Sequence, residues 1–457
     1  MKKLIEKYSL PVPRYTSYPT VPHWNEAAFE QEAYIQRLVQ AYGKIAEQGL
    51  SLYIHLPYCE SLCTYCACNT RITVNHAVEG PYIDALIKEW DMYSEILTAN
   101  QAEASKIPIR EIHLGGGTPT FFAPQQLERL IKGLMRRGYP GEGASFSFEA
   151  HPANTSPEHL KTLRKCGFDR LSLGVQDFDP VVQKAIHRWQ SPEDVQRVCD
   201  TARSEGYRSI NFDLVYGLPF QSSTSFAETL AQVCSMRPDR IALYGYAHVP
   251  WKHPGQRAYS ESDLPGAAER LNLFEMARIA LLNAGYEQIG LDHFALPQDS
   301  LYQAYRNESI HRNFMGYNDV RSEMLLALGV SAISETGSAY AQNVKTVEAY
   351  LDRIKQGKLP IAKGHLLSEQ EKYIAGKILS LMCLHRSSWK DDNEAEKAYM
   401  ESCRKRLTPL ELDGLIELDA EGIRVKEAGK ILVRNICAAI DKDLLEASDQ
   451  KRFATAI

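Results

Sequence analysis

Six short runs of apolar and β-branched residues recur along the first half of the chain, and helical patterns separate them. The runs begin near positions 51, 109, 145, 170, 209 and 240. Between two of them, Ile83, Leu86, Ile87 and Trp90 repeat at three- and four-residue intervals, which places one apolar face against a sheet. Alternation of strand and helix produces a parallel sheet with right-handed crossovers. The sequence therefore predicts an α/β fold.

Polar or glycine-rich residues follow nearly every predicted strand. They are the glycines at 115–117, Glu149, Gln176, Asp213, and Ala247 with His248. In a barrel, the carboxyl ends of the strands converge on one mouth, where barrel enzymes carry out their chemistry. We therefore predict an incomplete parallel β/α barrel of about six strands, in preference to an open doubly wound sheet.

The two flanks of the barrel have different patterns. Residues 1–45 include the proline-rich run PVPRYTSYPTVP and are predicted to form an N-terminal arm. Residues 46–360 hold the barrel and a following α/β segment. Residues 361–457 are predicted to form a small helical domain that resembles a winged helix, with a hairpin turning at Glu421 and Gly422. Because this hairpin is acid-rich, we expect the C-terminal domain to act as an internal cap of the protein and not to bind DNA.

The overall charge gives no reason to expect a nucleic-acid or anionic-membrane partner, since 52 basic residues face 57 acidic ones. No apolar stretch is long enough to cross a bilayer, and no apolar signal segment follows the two lysines at the start. We expect a cytoplasmic protein, and a monomer.

Four of the ten cysteines lie within residues 59–68, which is not the distribution of a disulfide framework. Cys59, Cys63 and Cys66 place three soft thiolates in one short loop, a pattern typical of a zinc or iron–sulfur site. A zinc site would need a fourth ligand, for which His55 or Cys68 is available. Three cysteines on a four-iron four-sulfur cluster would instead leave one iron open for the amino and carboxylate groups of S-adenosylmethionine.

Three cysteines at this spacing after a first strand resemble the signature of the radical S-adenosylmethionine (SAM) superfamily. Further phrases resemble the oxygen-independent coproporphyrinogen III oxidase family, also called coproporphyrinogen III dehydrogenases. In chain order they are PRYTSYPT at 13, YIHLPYC at 53, CNT at 68, HLGGGTPT at 113, LSLGVQDF at 171, DLVYGLP at 213, YAHVP at 246, HRNFMGY at 311 and LGVSAIS at 328.

The resemblance implies a four-iron four-sulfur cluster on Cys59, Cys63 and Cys66, together with two SAM molecules. Contacts to the first molecule match Tyr53, Gly116 and Glu149, and Tyr53, at the cluster mouth, is the candidate catalytic residue. Contacts to the second molecule match Tyr65, Gly117, Thr118, Gln176, Arg188, Asp213, Ala247 and Ile333.

The family's substrate is coproporphyrinogen III, whose two propionate groups become vinyl groups as protoporphyrinogen IX forms. The reaction also requires an electron donor and an electron acceptor, which the sequence does not identify. Because the substrate is a tetracarboxylate, Arg14, His311 and Arg312 are the candidate contacts. One departure from the family pattern is Ala67, which replaces the common glycine between the last two cysteines and restricts close backbone approach there.

Two other functions fit parts of the sequence. Haem chaperones share the barrel and the three cysteines, but they generally lack the PRYTSYP arm and the extra cysteine that is present here as Cys68. An electron carrier would use Cys68 as a fourth cluster ligand and would bind no substrate. The polar residues at the strand ends argue against an electron carrier.

Overall fold

All six predicted strands are present, and they lie side by side in one sheet. The computed structural model describes residues 2–8, 10–99 and 106–446; the end of the predicted C-terminal domain, 447–457, lies outside them. In chain order the strands are β1 (Leu50–Leu56), β2 (Tyr58–Cys59), β3 (Arg71–Ile72), β4 (Ile107–Gly116), β5 (Gly138–Ala150), β6 (Phe168–Gln176), β7 (Ser209–Tyr216), β8 (Arg240–Gly245), β9 (Glu287–Ile289), β10 (His293–Ala295), β11 (His311–Asn313), β12 (Gly316–Asn318), β13 (Leu325–Leu328), β14 (Ile333–Glu335), β15 (Ala339–Asn343), β16 (Ile361–Leu366), β17 (Arg386–Ser388), β18 (Ile416–Leu418) and β19 (Gly422–Val425).

The main sheet has twelve strands in the order β16-β15-β14-β13-β1-β4-β5-β6-β7-β8-β10-β9. Neighbours from β13 to β8 run parallel, and the outer strands pair antiparallel. Because β1 and β8 pair with other neighbours and not with each other, the barrel is incomplete, as predicted. The sequence missed the seventh parallel strand, β13, because four residues are too few to show a period.

Helices cover the outer face of the parallel strands. In chain order they are α1 (Lys2–Tyr8), α2 (Gln31–Ile45), α3 (Glu79–Thr98), α4 (Pro124–Arg137), α5 (Pro157–Lys165), α6 (Pro180–Ala185), α7 (Pro192–Ser204), α8 (Ser223–Met236), α9 (Ala267–Asn283), α10 (Ser300–Arg306), α11 (Val347–Lys355), α12 (Glu369–Leu384), α13 (Glu394–Leu412), α14 (Val433–Ala439) and α15 (Asp443–Glu446). Short 3-10 helices lie at Val21–His23, Glu26–Ala28, His76–Val78, Pro119–Phe121, Pro152–Asn154, Pro254–Ala258, Glu261–Asp263 and Glu427–Leu432.

The predicted apolar face of α3 is buried as the spacing requires. Ile83, Leu86 and Trp90 are fully buried in the main core, and the Trp90 indole N–H donates to the Leu134 carbonyl at 2.9 Å. That hydrogen bond satisfies the polar end of a large apolar side chain and ties α3 to α4. Among the described helices, none is long and apolar enough to span a membrane.

A network of buried charges closes the floor of the barrel, where the strands begin. Arg240, the first residue of β8, pairs with Asp299 at 2.6 Å and with Asp319 at 3.0 Å. Arg170, near the start of β6, also pairs with Asp319 and lies 3.4 Å from a Glu111 oxygen. Because each of these charges has a partner of opposite sign, the network is compensated within the chain.

The arm and the C-terminal segment hold each other. The Tyr15 hydroxyl donates to Asp441 at 2.8 Å, and Arg434 Nε donates to the Pro13 carbonyl at 2.9 Å. No regular strand or α-helix forms in 11–22, as its prolines predicted, although α1 precedes it. The C-terminal segment contains the three-stranded sheet β17-β19-β18, whose hairpin turns immediately before Gly422 as predicted. The domain boundaries and the winged-helix likeness stay predictions.

Candidate active site

The three cysteines of the loop line one cavity at the carboxyl ends of the strands, and each thiol has a hydrogen-bond donor. Thr118 Oγ1 donates to Cys59 Sγ at 3.3 Å, and Arg188 Nη1 lies 3.6 Å from Cys63 Sγ. The backbone N–H of Cys68 lies 3.4 Å from Cys66 Sγ. Hydrogen bonds to sulfur stabilise thiolates and tune the potential of an iron–sulfur cluster.

The donor set fits a cluster better than a single ion. Among the described residues, no group of three His, Cys, Asp or Glu side chains is arranged to hold one metal ion. The three thiols are half-buried, and a hydrogen bond from the Cys68 side chain lowers the pKa of Cys66 to about 7. Soft ligands that surround a common space, one of them easily deprotonated, suit an iron–sulfur cluster, whose cysteine ligands are thiolates.

Glu149 forms the wall of the cavity beside the cysteine loop. Its carboxylate accepts from the Gly116 N–H at 3.2 Å and lies 3.3 Å from His113 Nε2. Burial raises the pKa of Glu149, but the hydrogen bond and charge of His113 outweigh burial and lower it. The cavity therefore presents an ionised carboxylate, which can accept from hydroxyl groups of a ligand.

Gly116 is required for a reason that the sequence did not show. Its φ is +114°, and a Cβ there would lie 2.7 Å from the His55 ring. His55 Nε2 is 2.9 Å from the Asn69 carbonyl and therefore carries the proton, so Nδ1 accepts from the Tyr53 hydroxyl at 3.1 Å. Glycine at 116 thus accommodates a histidine that links the first strand to the end of the cysteine loop.

The opposite wall carries Gln176, Arg188, Asp213 and Ala247 from the later strands and their loops. Asp213 accepts from Ser172 Oγ at 2.8 Å and from Asn211 Nδ2 at 3.0 Å. Burial raises the pKa of Asp213 to about 6, despite these hydrogen bonds. The two walls enclose about 650 Å³, a volume in the range of small-molecule sites.

Comparison with known proteins gives the family. Residues 53–233 match the Radical SAM superfamily. The chain is 37% identical to an oxygen-independent coproporphyrinogen III oxidase from Pseudomonas aeruginosa, over 99% of this chain and 98% of the relative. It is 39% identical to the Paracoccus denitrificans oxidase, over 94% of both chains. The chain belongs to the oxygen-independent coproporphyrinogen III oxidase family.

A solved structure agrees with this assignment. Coproporphyrinogen III oxidase from Escherichia coli, described as a radical SAM enzyme, superposes with a TM-score of 0.89 at 35% identity and covers 97% of this chain and 99% of its own. Membership in the radical SAM superfamily assigns a four-iron four-sulfur cluster and SAM to this chain. The single zinc ion and the electron carrier are therefore not favoured, and neither is the haem chaperone.

Most of the predicted site residues of this family member come together in the cavity. Those that line it are Arg14, Cys59, Cys63, Tyr65, Cys66, Gly116, Gly117, Thr118, Glu149, Gln176, Arg188, Asp213 and Ala247. Tyr53 is not among the lining residues; it stacks on His113 with ring centroids 5.9 Å apart, behind Glu149. Ile333 packs against an apolar cluster around Trp24 and Tyr340.

A second cavity of about 1060 Å³ adjoins the first and shares part of its wall, including Arg14, Gly245 and Ala247. Arg312 lines it, as a substrate contact should, but His311 lines neither cavity. Burial lowers the pKa of His311 to about 4, so this side chain is neutral near pH 7 and carries no charge for a carboxylate.

The sequence missed two groups of residues around the cavities. His113 was overlooked, and His55 was named only as a possible zinc ligand, because alternate positions of a buried strand give no sign of which side chain points into a barrel. Arg270 and Arg434 line the second cavity from helices α9 and α14. Both were missed because an arginine in a helix normally indicates a solvated position.

Proposed function

We propose that this chain converts two propionate side chains of coproporphyrinogen III to vinyl groups, giving protoporphyrinogen IX, with the cluster held by Cys59, Cys63 and Cys66. The observation that carries the proposal is a cavity whose lining includes Cys59, Cys63, Cys66, Glu149 and Asp213 and which adjoins a larger cavity. Full-length relatives named for this reaction support it. An electron donor and an electron acceptor are required and stay unidentified.

When bound, the cluster and SAM supply a 5′-deoxyadenosyl radical, which takes a hydrogen atom from a propionate β-carbon before carbon dioxide and one electron leave. The chain's own groups prepare the site for this chemistry. Thr118 and Arg188 direct hydrogen-bond donors at Cys59 and Cys63, and Arg188 also brings a positive charge to the thiolates. The Thr118 contact opposes burial, which raises the pKa of Cys59 to about 11, and donors directed at sulfur would stabilise the ligands of a cluster.

The first SAM molecule is assigned to the wall formed by Gly116 and Glu149. The ionised Glu149 carboxylate would accept from the ribose hydroxyls. Tyr53 is assigned a supporting role as well as its predicted contact, because its hydroxyl donates to His55 and its ring stacks on His113, which holds Glu149. In this arrangement Tyr53 positions the groups that contact the cofactor.

A second SAM molecule is assigned to the opposite wall. Seven of its eight predicted contacts line the cavity: Tyr65, Gly117, Thr118, Gln176, Arg188, Asp213 and Ala247. Gln256 Nε2 donates to the carbonyls of Tyr65 and Ala247, at 3.1 and 3.2 Å, and so joins the two sides of this contact set. Ile333, the eighth contact, lies in β14 outside the lining residues.

Stoichiometry of binding tests the second molecule. Equilibrium dialysis of the anaerobic, reconstituted protein with labelled SAM should find two molecules per chain, and one in Asp213→Asn. The control is Asp200→Asn, because Asp200 is an exposed helical carboxylate that accepts from Gln196 at 2.7 Å. One bound molecule in the unsubstituted protein would contradict the assignment.

The reaction itself is tested with the reconstituted protein, a reductant, SAM and coproporphyrinogen III under anaerobic conditions. Protoporphyrinogen IX should form with two methionines and two 5′-deoxyadenosines per substrate. Absence of product together with tight, stoichiometric haem binding would identify a haem chaperone instead. The monomeric state, the cytoplasmic location and the lack of a nucleic-acid partner stay predictions.

A further inference from the structure

Four arginines surround the second cavity, and they come from four separate parts of the chain. Arg14 lies in the arm, Arg270 in α9, Arg312 in β11 and Arg434 in α14. The residues that line this cavity include one carboxylate, Asp292. Burial raises the pKa of Asp292, but His293, Arg312 and Arg14 outweigh burial and lower it to about 2. The cavity wall therefore carries a large excess of positive charge.

Backbone carbonyls, which bear no net charge, orient three of these arginines. Arg14 Nη2 donates to the Gly245 carbonyl at 2.8 Å, and Arg270 Nη2 donates to the Tyr246 carbonyl at 2.7 Å. Arg434 donates to the carbonyls of Pro13 and Val12. These contacts fix the guanidinium groups in place through neutral acceptors, unlike the ion pairs of the barrel floor.

Arg312 is held in a different way. It is only 8% exposed, and its guanidinium lies 4.4 Å from the centroid of the Tyr317 ring. Among the described residues, its Nε and Nη1 atoms have no hydrogen-bond partner, and neither has Arg270 Nε. Leaving buried donors unpaired costs stability in the empty protein. Such a cost is typical of a site that is completed by its ligand.

Repulsion between the arginines also indicates that the second cavity binds an anion. Burial, and after it the charge of Arg14, lower the pKa of Arg434 to about 10. Burial and the charge of Arg14 also lower the pKa of Arg270. Cations that raise one another's energy are stabilised when an anion enters between them.

We propose that Arg270 and Arg312 bind the propionate carboxylates that do not react. The inference rests on the proposed function. Substrate and product share two propionates, and a guanidinium can pair with a carboxylate through two hydrogen bonds. Leu243, Phe274 and Phe314 line the same cavity and provide apolar surface for the pyrrole rings. The wall shared with the first cavity places a reacting propionate toward the cysteines.

Binding of an unreactive porphyrin tests this pocket. The probe is coproporphyrin III, which is titrated into the anaerobic holoprotein without reductant while its fluorescence is measured. Its tetramethyl ester is the uncharged analogue. Arg270→Met and Arg312→Met should each weaken coproporphyrin III binding at least about tenfold, since each removes a buried charge–charge contact. Neither should change binding of the ester. Equal affinity of the variants and the unsubstituted protein for coproporphyrin III would overturn the proposal.

Two controls separate recognition from folding. Arg197→Met removes an exposed arginine that pairs with Asp194 at 3.1 Å, and it should leave porphyrin binding unchanged. Formation of 5′-deoxyadenosine without substrate measures the integrity of the cluster and SAM site in each variant, and it should be unchanged in Arg197→Met. Arg312→Lys retains the charge and should recover part of the lost binding. If the lysine recovers nothing and 5′-deoxyadenosine formation also falls, Arg312 is structural and the proposal is wrong.

The outcome is distinguishable from failure of the proposed reaction. If coproporphyrin III binds in an arginine-dependent way but no protoporphyrinogen IX forms, the arginine site is supported and the proposed reaction is wrong. If product forms and the KM for coproporphyrinogen III is unchanged in Arg270→Met and Arg312→Met, the proposed reaction is supported and the arginine site is wrong.

Discussion

The floor and the mouth of the barrel are both rich in charge, but the charges are compensated in different ways. At the floor, Arg170 and Arg240 share Asp319, and Arg240 also pairs with Asp299. At the mouth, Arg312 has unpartnered nitrogens. A buried charge that has its partner within the chain stabilises the fold, whereas one that lacks a partner is available to a ligand.

The pKa values show the same difference. Burial raises the pKa of Asp319, but Arg170 and Arg240 outweigh burial and lower it well below its usual value. At the mouth, Asp213 has neutral hydrogen-bond partners, and burial raises its pKa to about 6. Asp319 is therefore ionised throughout the physiological pH range, whereas Asp213 titrates close to that range. We expect substitutions at the floor to affect stability and substitutions at the mouth to affect chemistry.

The largest effect is expected at the mouth, in Cys63→Ala. With one of three cluster ligands removed, iron and sulfide content should fall to background, and 5′-deoxyadenosine formation should be abolished. Cys199→Ala is the control, since Cys199 is a buried thiol on α7, far from the loop in sequence. Retention of the full cluster content in Cys63→Ala would show that our ligand assignment is wrong.

At the floor, we expect a large effect on stability in Asp319→Asn. This change leaves Arg170 and Arg240 buried with one counter-charge fewer, so the free energy of unfolding should fall by about 3–5 kcal/mol. Anaerobic urea denaturation at matched cluster loading measures the difference. For comparison, Glu95→Gln breaks an exposed ion pair with Arg137 at 3.0 Å and should cost no more than about 1 kcal/mol. If both variants lost the same stability, the floor network would not be the structural element that we describe.

The smallest effect concerns pH and Asp213. Since folding raises its pKa from 3.8 to about 6, the folded protein holds this proton more tightly, and the group's contribution to stability decreases as the pH rises through that window. The ionised form, present above about pH 6, is the better acceptor for a ligand. Affinity for the second SAM molecule should therefore fall by up to about tenfold for each pH unit below 6.

Asp213→Asn should remove this pH dependence while binding the second molecule weakly at every pH. The same slope in Asp213→Asn and in the unsubstituted protein would assign the titration to another group, and Glu149 would be the next to substitute. Affinity is best measured by dialysis, because cluster reduction has a pH dependence of its own.

Much of the fold could be predicted from the sequence because its signals are local. The alternation of strand and helix from Leu50 to Gly245 indicated the parallel sheet, and the polar strand ends indicated its functional edge. The strands from β9 to β16, most of which pair antiparallel, were missed because most have only three to five residues. Sites that combine distant segments were predicted only in part. His311 and Ile333 were predicted to contact ligands but line neither cavity, because neighbouring residues of a strand point in opposite directions.

The sequence by itself determined the chemistry of the cysteine loop. Only seven peptide bonds separate Cys59 from Cys66. The thiols of Cys59, Cys63 and Cys66 therefore lie in one short loop. Only the tertiary structure decided which arginines are compensated. Arg170 and Arg312 each line a cavity, yet Arg170 pairs with Asp319, whereas Arg312 Nε and Nη1 have no hydrogen-bond partner among the described residues. Charge compensation depends on groups that lie far apart in the chain, and only folding brings them within a few ångströms.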